Sequence, residues 1–435
     1  MADQTKGMKA YYGITFLIGL GFFTMGLMDP LYDTYIPIFL ERAGVASKGL
    51  IGSIMTLDNI FALCLIPIVS AFSDRTRTSI GRRMPYIIVT LPLTAVFFAL
   101  IPFAAVNGLA LLILAIFCLN IFKQAARGPV VALMPDTIPG DYRSEANGVI
   151  NTMGGIAAIV GTVGLARLMD ISVTLPFIGN TKNKLPFPIS GILVIFATLL
   201  LFIFIKEKKD ARPDTTEEKM PVKESLKMIL ASKEKSAFYI LLSLFLWFLG
   251  YQGVLPFLGM YTIKYIGVSE GAAALSAGMV AIAYALFAIP SGIIAHKIGR
   301  KKVIRVCLLG LTILVGLIFF HDPVTKNLRL SPGMSFAAFA LLLFLFGIFW
   351  GSVVTNSFPM LWQMASYGNM GIYTGLYYTF SQAAAITAPP ITGTISDITS
   401  LRGIFMFAAL CMFAAFIVMG FVKKGEPKQA AEESG

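Results

Sequence analysis

Twelve apolar stretches of about 20 residues, each long enough to cross ~30 Å of hydrocarbon as a helix, follow one another along this chain with only short polar breaks. They lie at 11–38, 49–72, 84–104, 108–134, 147–167, 186–206, 237–262, 272–295, 303–320, 334–362, 371–395 and 402–422. This pattern narrows the choice of fold sharply, because a backbone in lipid must satisfy its own hydrogen bonds and a helix does so within itself. The expected fold class is an all-α integral membrane protein with twelve transmembrane helices. Only 13% of the residues are charged, against roughly 25% in an ordinary soluble domain.

The polar breaks predict an orientation. Met1–Ala10 carries Lys6 and Lys9 but no cleavable apolar core, so the first helix is expected to be retained, starting from the cytoplasm. Loops 73–83, 135–146, 207–236, 296–302 and 363–370 then fall in the cytoplasm with both termini, and about two thirds of the 35 Lys and Arg lie there, as the positive-inside rule requires. The expected location is the cell membrane, crossed many times. The net charge of +12 is thereby explained by topology and by anionic membrane lipid, and no nucleic-acid partner is expected. Cys64, Cys118, Cys307 and Cys411 stand alone in apolar sequence, and His296 and His321 belong to no cluster, so no metal is expected. Without a phosphate-binding Walker A run or a catalytic constellation, neither a cofactor nor enzymatic activity is expected.

The domain reading is a six-helix bundle at 1–206, a cytoplasmic linker at 207–236 with a short surface helix over Val222–Leu230, a second six-helix bundle at 237–422 and a cytoplasmic tail at 423–435. The linker is rich in Lys, Glu and Asp and contains Pro213 and Pro221. The halves echo each other at a nearly constant offset of 222 to 224 residues: Asp74 with His296, Gly128 with Gly351, Pro135 with Pro359 and Gly148 with Gly371. The bundles are therefore expected to be pseudo-symmetric.

Three segments carry a family resemblance. Ser73-Asp74-Arg75-Thr76-Arg77-Thr78-Ser79-Ile80-Gly81-Arg82-Arg83-Met84-Pro85 resembles the loop signature of the major facilitator superfamily. Its long spacing, Asp-Arg-x5-Gly-Arg-Arg-x-Pro, is similar to that of sucrose transporters, their animal relatives of solute carrier family 45 and bacterial glycoside–pentoside–hexuronide carriers. Arg127-Gly128-Pro129-Val130-Val131-Ala132-Leu133-Met134-Pro135-Asp136 resembles the end of helix four in the sucrose branch, and Arg143-Ser144-Glu145-Ala146-Asn147-Gly148 the start of helix five. The resemblance implies two repeats of six helices with substrate bound at their interface. It also implies a gate at Asp74, Arg75, Gly81, Arg82, Arg83, Asp136 and Arg143, whose ion pairs would form in one state of the carrier and dissolve in the other. The simpler reading is that the arginines anchor topology and Gly81 makes the turn.

Inside the membrane, helix four places Asn120, Lys123, Gln124 and Arg127 at i, i+3, i+4 and i+7, one stripe of a helix. A Lys or Arg at mid-membrane costs ~2.5–3.5 kcal/mol even on insertion scales, so the stripe needs water or acids. Asp29 and Asp33 in helix one and Asp58, beside Asn59, in helix two are the candidates. The cluster serves equally well as a fixed ion pair or as a cargo site. The sucrose branch's helix-four acid falls at Asn120, and the paired helix-two acids of melibiose-type sodium carriers fall at Ala62 and Ile66, so those coupling groups are missing. Asp58, or Asp29, is left as the candidate proton site.

The second half is uncharged at depth. Trp247, Tyr251 and Gln252 in helix seven, Trp350, Thr355 and Asn356 in helix ten, and Thr374, Tyr377, Tyr378, Ser381 and Gln382 in helix eleven combine rings with hydrogen-bonding groups, the mixture that a concave sugar site uses. The same rings also suit plain packing. With Asn151 in helix five, these residues and the helix-four stripe are the expected cargo contacts. The expected function is proton-coupled import of a small-molecule cargo, a sugar, by a monomer. Efflux of drugs or lipids, an uncoupled facilitator and a non-transporting sensor are the alternatives.

Overall fold

A computed structural model describes residues 11–139, 142–176, 179–207, 234–364 and 370–425, together with Glu224, Ile229 and Ala231. Apart from Glu224 and Ile229, the expected surface helix at Val222–Leu230 lies outside the described residues, as do most of the linker and the end of the tail. The helices are α1 (Tyr12–Arg42), α2 (Lys48–Met55), α3 (Leu57–Arg75), α4 (Met84–Asn107), α5 (Leu109–Thr137), α6 (Arg143–Ile159), α7 (Pro186–Phe204), α8 (Ser236–Tyr261), α9 (Glu270–Ile298), α10 (Arg300–Asn327), α11 (Pro332–Trp362), α12 (Met370–Ile398) and α13 (Gly403–Gly420). α2 and α3 together make one span, Lys48–Arg75, and eleven spans in all are apolar and long enough to cross a membrane among the described residues. The twelfth expected segment forms α12, whose polar stripe keeps it out of that apolar group.

Local chemistry sets the element ends. Pro85 opens α4, where its missing N–H costs nothing. Gly108, at φ +128°, separates α4 from α5 with a backbone geometry that favours glycine. α6 continues as a π-helical turn, Val160–Gly164, and a 3-10 stretch, Leu165–Asp170. A small antiparallel ladder pairs Thr174 with Asn180 and Leu175 with Gly179, in a loop where the sequence predicts no strand.

Two compact units emerge, bounded at Met1–Val45, Leu57–Asp214 and Ser269–Leu275 for the first and at Ala46–Thr56, Thr215–Val268 and Ser276–Gly435 for the second. In the first, α1 packs on α6 and α7, and α4 on α5 and α7. In the second, α8 packs on α12 and α13, and α10 on α11 and α13. The same packing order appears in each, as an internal repeat requires. Of the glycines that follow Arg143 in helix five, Gly154 and Gly161 lie against α1 at Phe22 and Leu27, whereas Gly155 and Gly164 face open space.

Candidate functional site

The first unit gathers its charged groups around Lys123. α5 carries Lys123 inward with its side chain only 5% exposed, and its Nζ lies 2.7 Å from Asp29 Oδ1 on α1 and 3.2 Å from Asp58 Oδ1 on α3. One residue on, Gln124 Nε2 donates to Asp58 Oδ1 at 2.5 Å. One turn back, Asn120 Nδ2 donates to the Tyr32 hydroxyl at 2.9 Å, and the Lys123 ammonium stands 5.0 Å from the centre of the Tyr32 ring. The i, i+3, i+4 spacing of helix four thus becomes one continuous polar surface. Asn120 Oδ1 and Gln124 Oε1 remain buried without partners. The Asp29 side chain is 39% exposed, so this wall is wet on the side of the acids and closed on the side of the lysine. Asp33 and Asn59 are half-buried, and Arg127 is exposed. Asn151 is exposed and donates to the Asn147 carbonyl at 2.8 Å, within its own helix.

A second network forms where α3 and α4 meet. Arg82 closes on Asp136 at the end of α5 with Nε to Oδ2 at 3.0 Å and Nη2 to Oδ1 at 2.5 Å, and Arg83 Nε reaches the same Oδ2 at 2.8 Å. Arg83 also pairs with Asp74 and donates to Ser73 Oγ at 3.1 Å. Burial works against the Arg82 charge, yet the Asp136 carboxylate more than offsets it and raises its pKa above the ordinary arginine value. The Glu207 carboxylate accepts from the backbone N–H groups of Arg82, Arg83 and Met84 at 2.6, 3.0 and 2.7 Å, seated on the N-terminus of α4, where the helix dipole favours an anion. Gly81 makes the turn before it at φ +111°. Arg143 donates to the carbonyls of Pro135 and Ile138 at 2.8 and 3.2 Å and so caps the end of α5. Arg75 is exposed and outside these bonds.

In the second unit the expected cargo residues separate. Trp247 is fully buried in the core. Tyr251 stacks on Trp350 with ring centres 4.2 Å apart and 15° between planes. Asn356 donates to the Ser352 carbonyl at 2.8 Å, and the Tyr377 hydroxyl bonds Ser357 Oγ at 3.1 Å. Gln252 and Gln382 are half-buried. The rings largely occupy one another's faces, so the aromatic wall is self-packed.

The sequence model of the Major Facilitator Superfamily matches residues 11–280 and, again, 240–435. The chain belongs to the major facilitator superfamily. Transporters of known structure share its fold: a point mutant of the nucleoside transporter NupG superposes at TM-score 0.70 and 13% identity over 94% of this chain and 100% of that one. A bacterial homologue of the human lysosomal transporter Spinster, inward-facing and occupied, superposes at 0.71 and 13% over 96% and 97%. A D-xylose–proton symporter does so at 0.67 and 13% over 95% and 98%. In sequence, the chain is 28% identical over 186 residues to the multi-drug resistance efflux pump PmrA of Streptococcus pneumoniae, a match spanning 42% of this chain and 43% of the pump. This superfamily member is thus a multi-pass membrane protein, and its match spans under half the length of the pump.

Two residues of the superfamily chain escape a reading of the sequence alone. Tyr32 lies three residues after Asp29, on the same helix face, and that spacing is the signal that marks it. Glu207 reads in sequence as part of the polar linker, and no local pattern distinguishes it from the charges that follow.

Proposed function

We propose that this transporter imports a small polar solute, a sugar such as a glucoside or a disaccharide of the sucrose or maltose kind, together with a proton, by alternating access. The observation that carries the reading is Lys123 held between Asp29 and Asp58, with Gln124 bonded to the same Asp58 oxygen. Two acids share one ammonium, so either can take up a proton while the other keeps the lysine paired. A proton arriving on Asp58 would cancel its charge and weaken its hold on Lys123 and Gln124. Those donors would then turn to cargo oxygens, and loss of the proton on the other side would restore the pair. Asn120 Oδ1 and Gln124 Oε1, buried acceptors without partners, suit hydroxyl groups, because an unmet buried acceptor costs about 1–3 kcal/mol. Asn59, Arg127, Asn151, Tyr251, Gln252, Asn356, Tyr377 and Gln382 are further proposed contacts.

The reading places the protein in the cell membrane with both termini in the cytoplasm, as a monomer, in the sucrose-like branch whose spacing its loop resembles. The network of Asp74, Arg82, Arg83 and Asp136 is its proposed cytoplasmic gate. The likeness to PmrA favours one second reading, efflux of drugs by the same machinery. Uptake into proteoliposomes of a panel of glucosides, disaccharides and cationic dyes, with and without an inward proton gradient, separates the two. Gradient-driven sugar accumulation is expected. Dye extrusion with no sugar uptake would replace import by efflux.

A further inference from the structure

The internal repeat keeps one arginine and drops the acids that hold its counterpart. At the offset of 222 residues that pairs Asp74 with His296, Arg83 falls on Arg305, and Asp136, one residue beyond the Pro135–Pro359 pair, falls on Met360. In the first unit Arg83 is buried and bound by both acids, Asp74 and Asp136. Arg305 has neither. It is half-buried in the second turn of α10, with its guanidinium 4.7 Å from the centre of the Phe416 ring on α13 and against Gly420, where an added side-chain carbon would lie 3.6 Å from Nη2. Its Nε is buried without a hydrogen-bond partner, and no acid pairs with it among the described residues.

Around Arg305 the surface combines cations with bare apolar stripes. Lys301, one turn before it, donates from Nζ to the Gly420 carbonyl at 3.0 Å and so ties the start of α10 to the end of α13. Past that end, the backbone N–H groups of Lys423 and Lys424 donate to Oγ of the buried Ser236 at 2.8 and 3.2 Å, which fixes this stretch while both lysines stay exposed. Glu234, the acid beside them, is engaged with Ser236, accepting from its N–H at 3.0 Å and from its Oγ at 2.7 Å. Lys302 heads an exposed stripe of α10 that continues through Val306, Leu309 and Ile313, and Lys424 follows one on α13 that runs through Phe413, Ile417 and Phe421. Each stripe is apolar along the membrane and basic at the same end of the unit. A phospholipid matches that surface, with acyl chains for the stripes and a phosphate whose oxygens suit the fork of a guanidinium. Five residues into α10, about 7.5 Å along its axis, Arg305 lies where a long side chain can reach the headgroups while its stem stays on apolar surface.

We propose that Arg305, with Lys302 and Lys424, binds the phosphate of an anionic phospholipid whose chains lie on the outer faces of α10 and α13. The lipid supplies the anion that Asp74 and Asp136 supply to Arg83. The test is thermal melting of the purified full chain in detergent, titrated with dioleoylphosphatidylglycerol, dioleoylphosphatidylcholine or inorganic phosphate. The anionic lipid should raise the melting temperature at concentrations where the choline lipid and inorganic phosphate do not. Loss of one charge-assisted contact corresponds to about tenfold, so Arg305→Gln should raise the half-saturating concentration of the anionic lipid by about that factor. Arg305→Lys, which keeps the charge without the fork, should raise it by less. Lys302→Gln combined with Lys424→Gln changes exposed positions, stands in should the Arg305 variants fail to fold, and should raise it too. Arg329→Gln, at the opposite end of α10, should leave it unchanged. Equal responses to the two lipids, an equal response to inorganic phosphate, an unchanged titration in the Arg305 and lysine variants, or an equal effect from Arg329→Gln would overturn the proposal. So would a lipid-free melting loss from Glu426→Gln, Glu432→Gln and Glu433→Gln together that equals the loss from Arg305→Gln, since acids of the chain itself would then be the partner. No cargo enters the measurement, so its outcome is independent of the transport reading.

Discussion

Arg82 meets both carboxylate oxygens of Asp136, a two-pronged contact between the start of α4 and the end of α5 that leaves the guanidinium and the acid largely buried. Planar matching of this kind needs arginine. Arg82→Ala should therefore lower the apparent melting temperature in detergent, by the equivalent of about 1–3 kcal/mol for a charged partner left short of bonds. Arg82→Lys should recover little of the loss. Equal melting of the Lys variant and the parent would show that charge alone holds this corner.

Asp58→Asn keeps an acceptor for Gln124 but removes the titratable charge. Accumulation of cargo against its gradient should disappear, while counterflow exchange continues. Loss of both in proteoliposomes would assign Asp58 to cargo binding or to holding the helices.

Lys123→Met strands Asp29 and Asp58 without their cation. Removing one partner of a partly buried pair leaves an uncompensated charge, whereas removing the charges together is much milder. Lys123→Met combined with Asp29→Asn and Asp58→Asn should thus melt higher than Lys123→Met alone. Additive losses in that cycle would mean that the three groups do not interact.

Gly81 sits at φ +111°, and a side-chain carbon there would run into Glu207. Gly81→Ala should destabilise the fold by about 1–3 kcal/mol from backbone strain, plus whatever the collision adds. Repeating the substitution on Glu207→Ala removes the collision and keeps the strain. The difference between the two melting shifts measures how tightly Glu207 is seated.

The periodic parts of the molecule are legible in the sequence because lipid imposes them locally. The apolar lengths set the helices, the arginine-rich break before α4 marks the Arg82–Asp136 corner, and the spacing of Asn120, Lys123 and Gln124 marks one face of α5. The same reasoning offers Trp247 as a cargo contact, yet that ring is fully buried. Ring spacing along a helix reads alike for packing and for binding, and only the neighbouring helices distinguish the two.

By itself the sequence determined the membrane class, the helix positions and the repeat, since hydropathy and charge act residue by residue along the chain. The tertiary structure alone decided which acid meets which cation. Asp29 and Asp58 reach Lys123, Glu207 settles on the amides of α4, and Asp170 and Asp397 fasten helix starts about a hundred and about 350 residues away in sequence, respectively. A hydrogen bond is fixed by distances of a few tenths of an ångström, and spacing along a chain carries no such distance between helices until they pack.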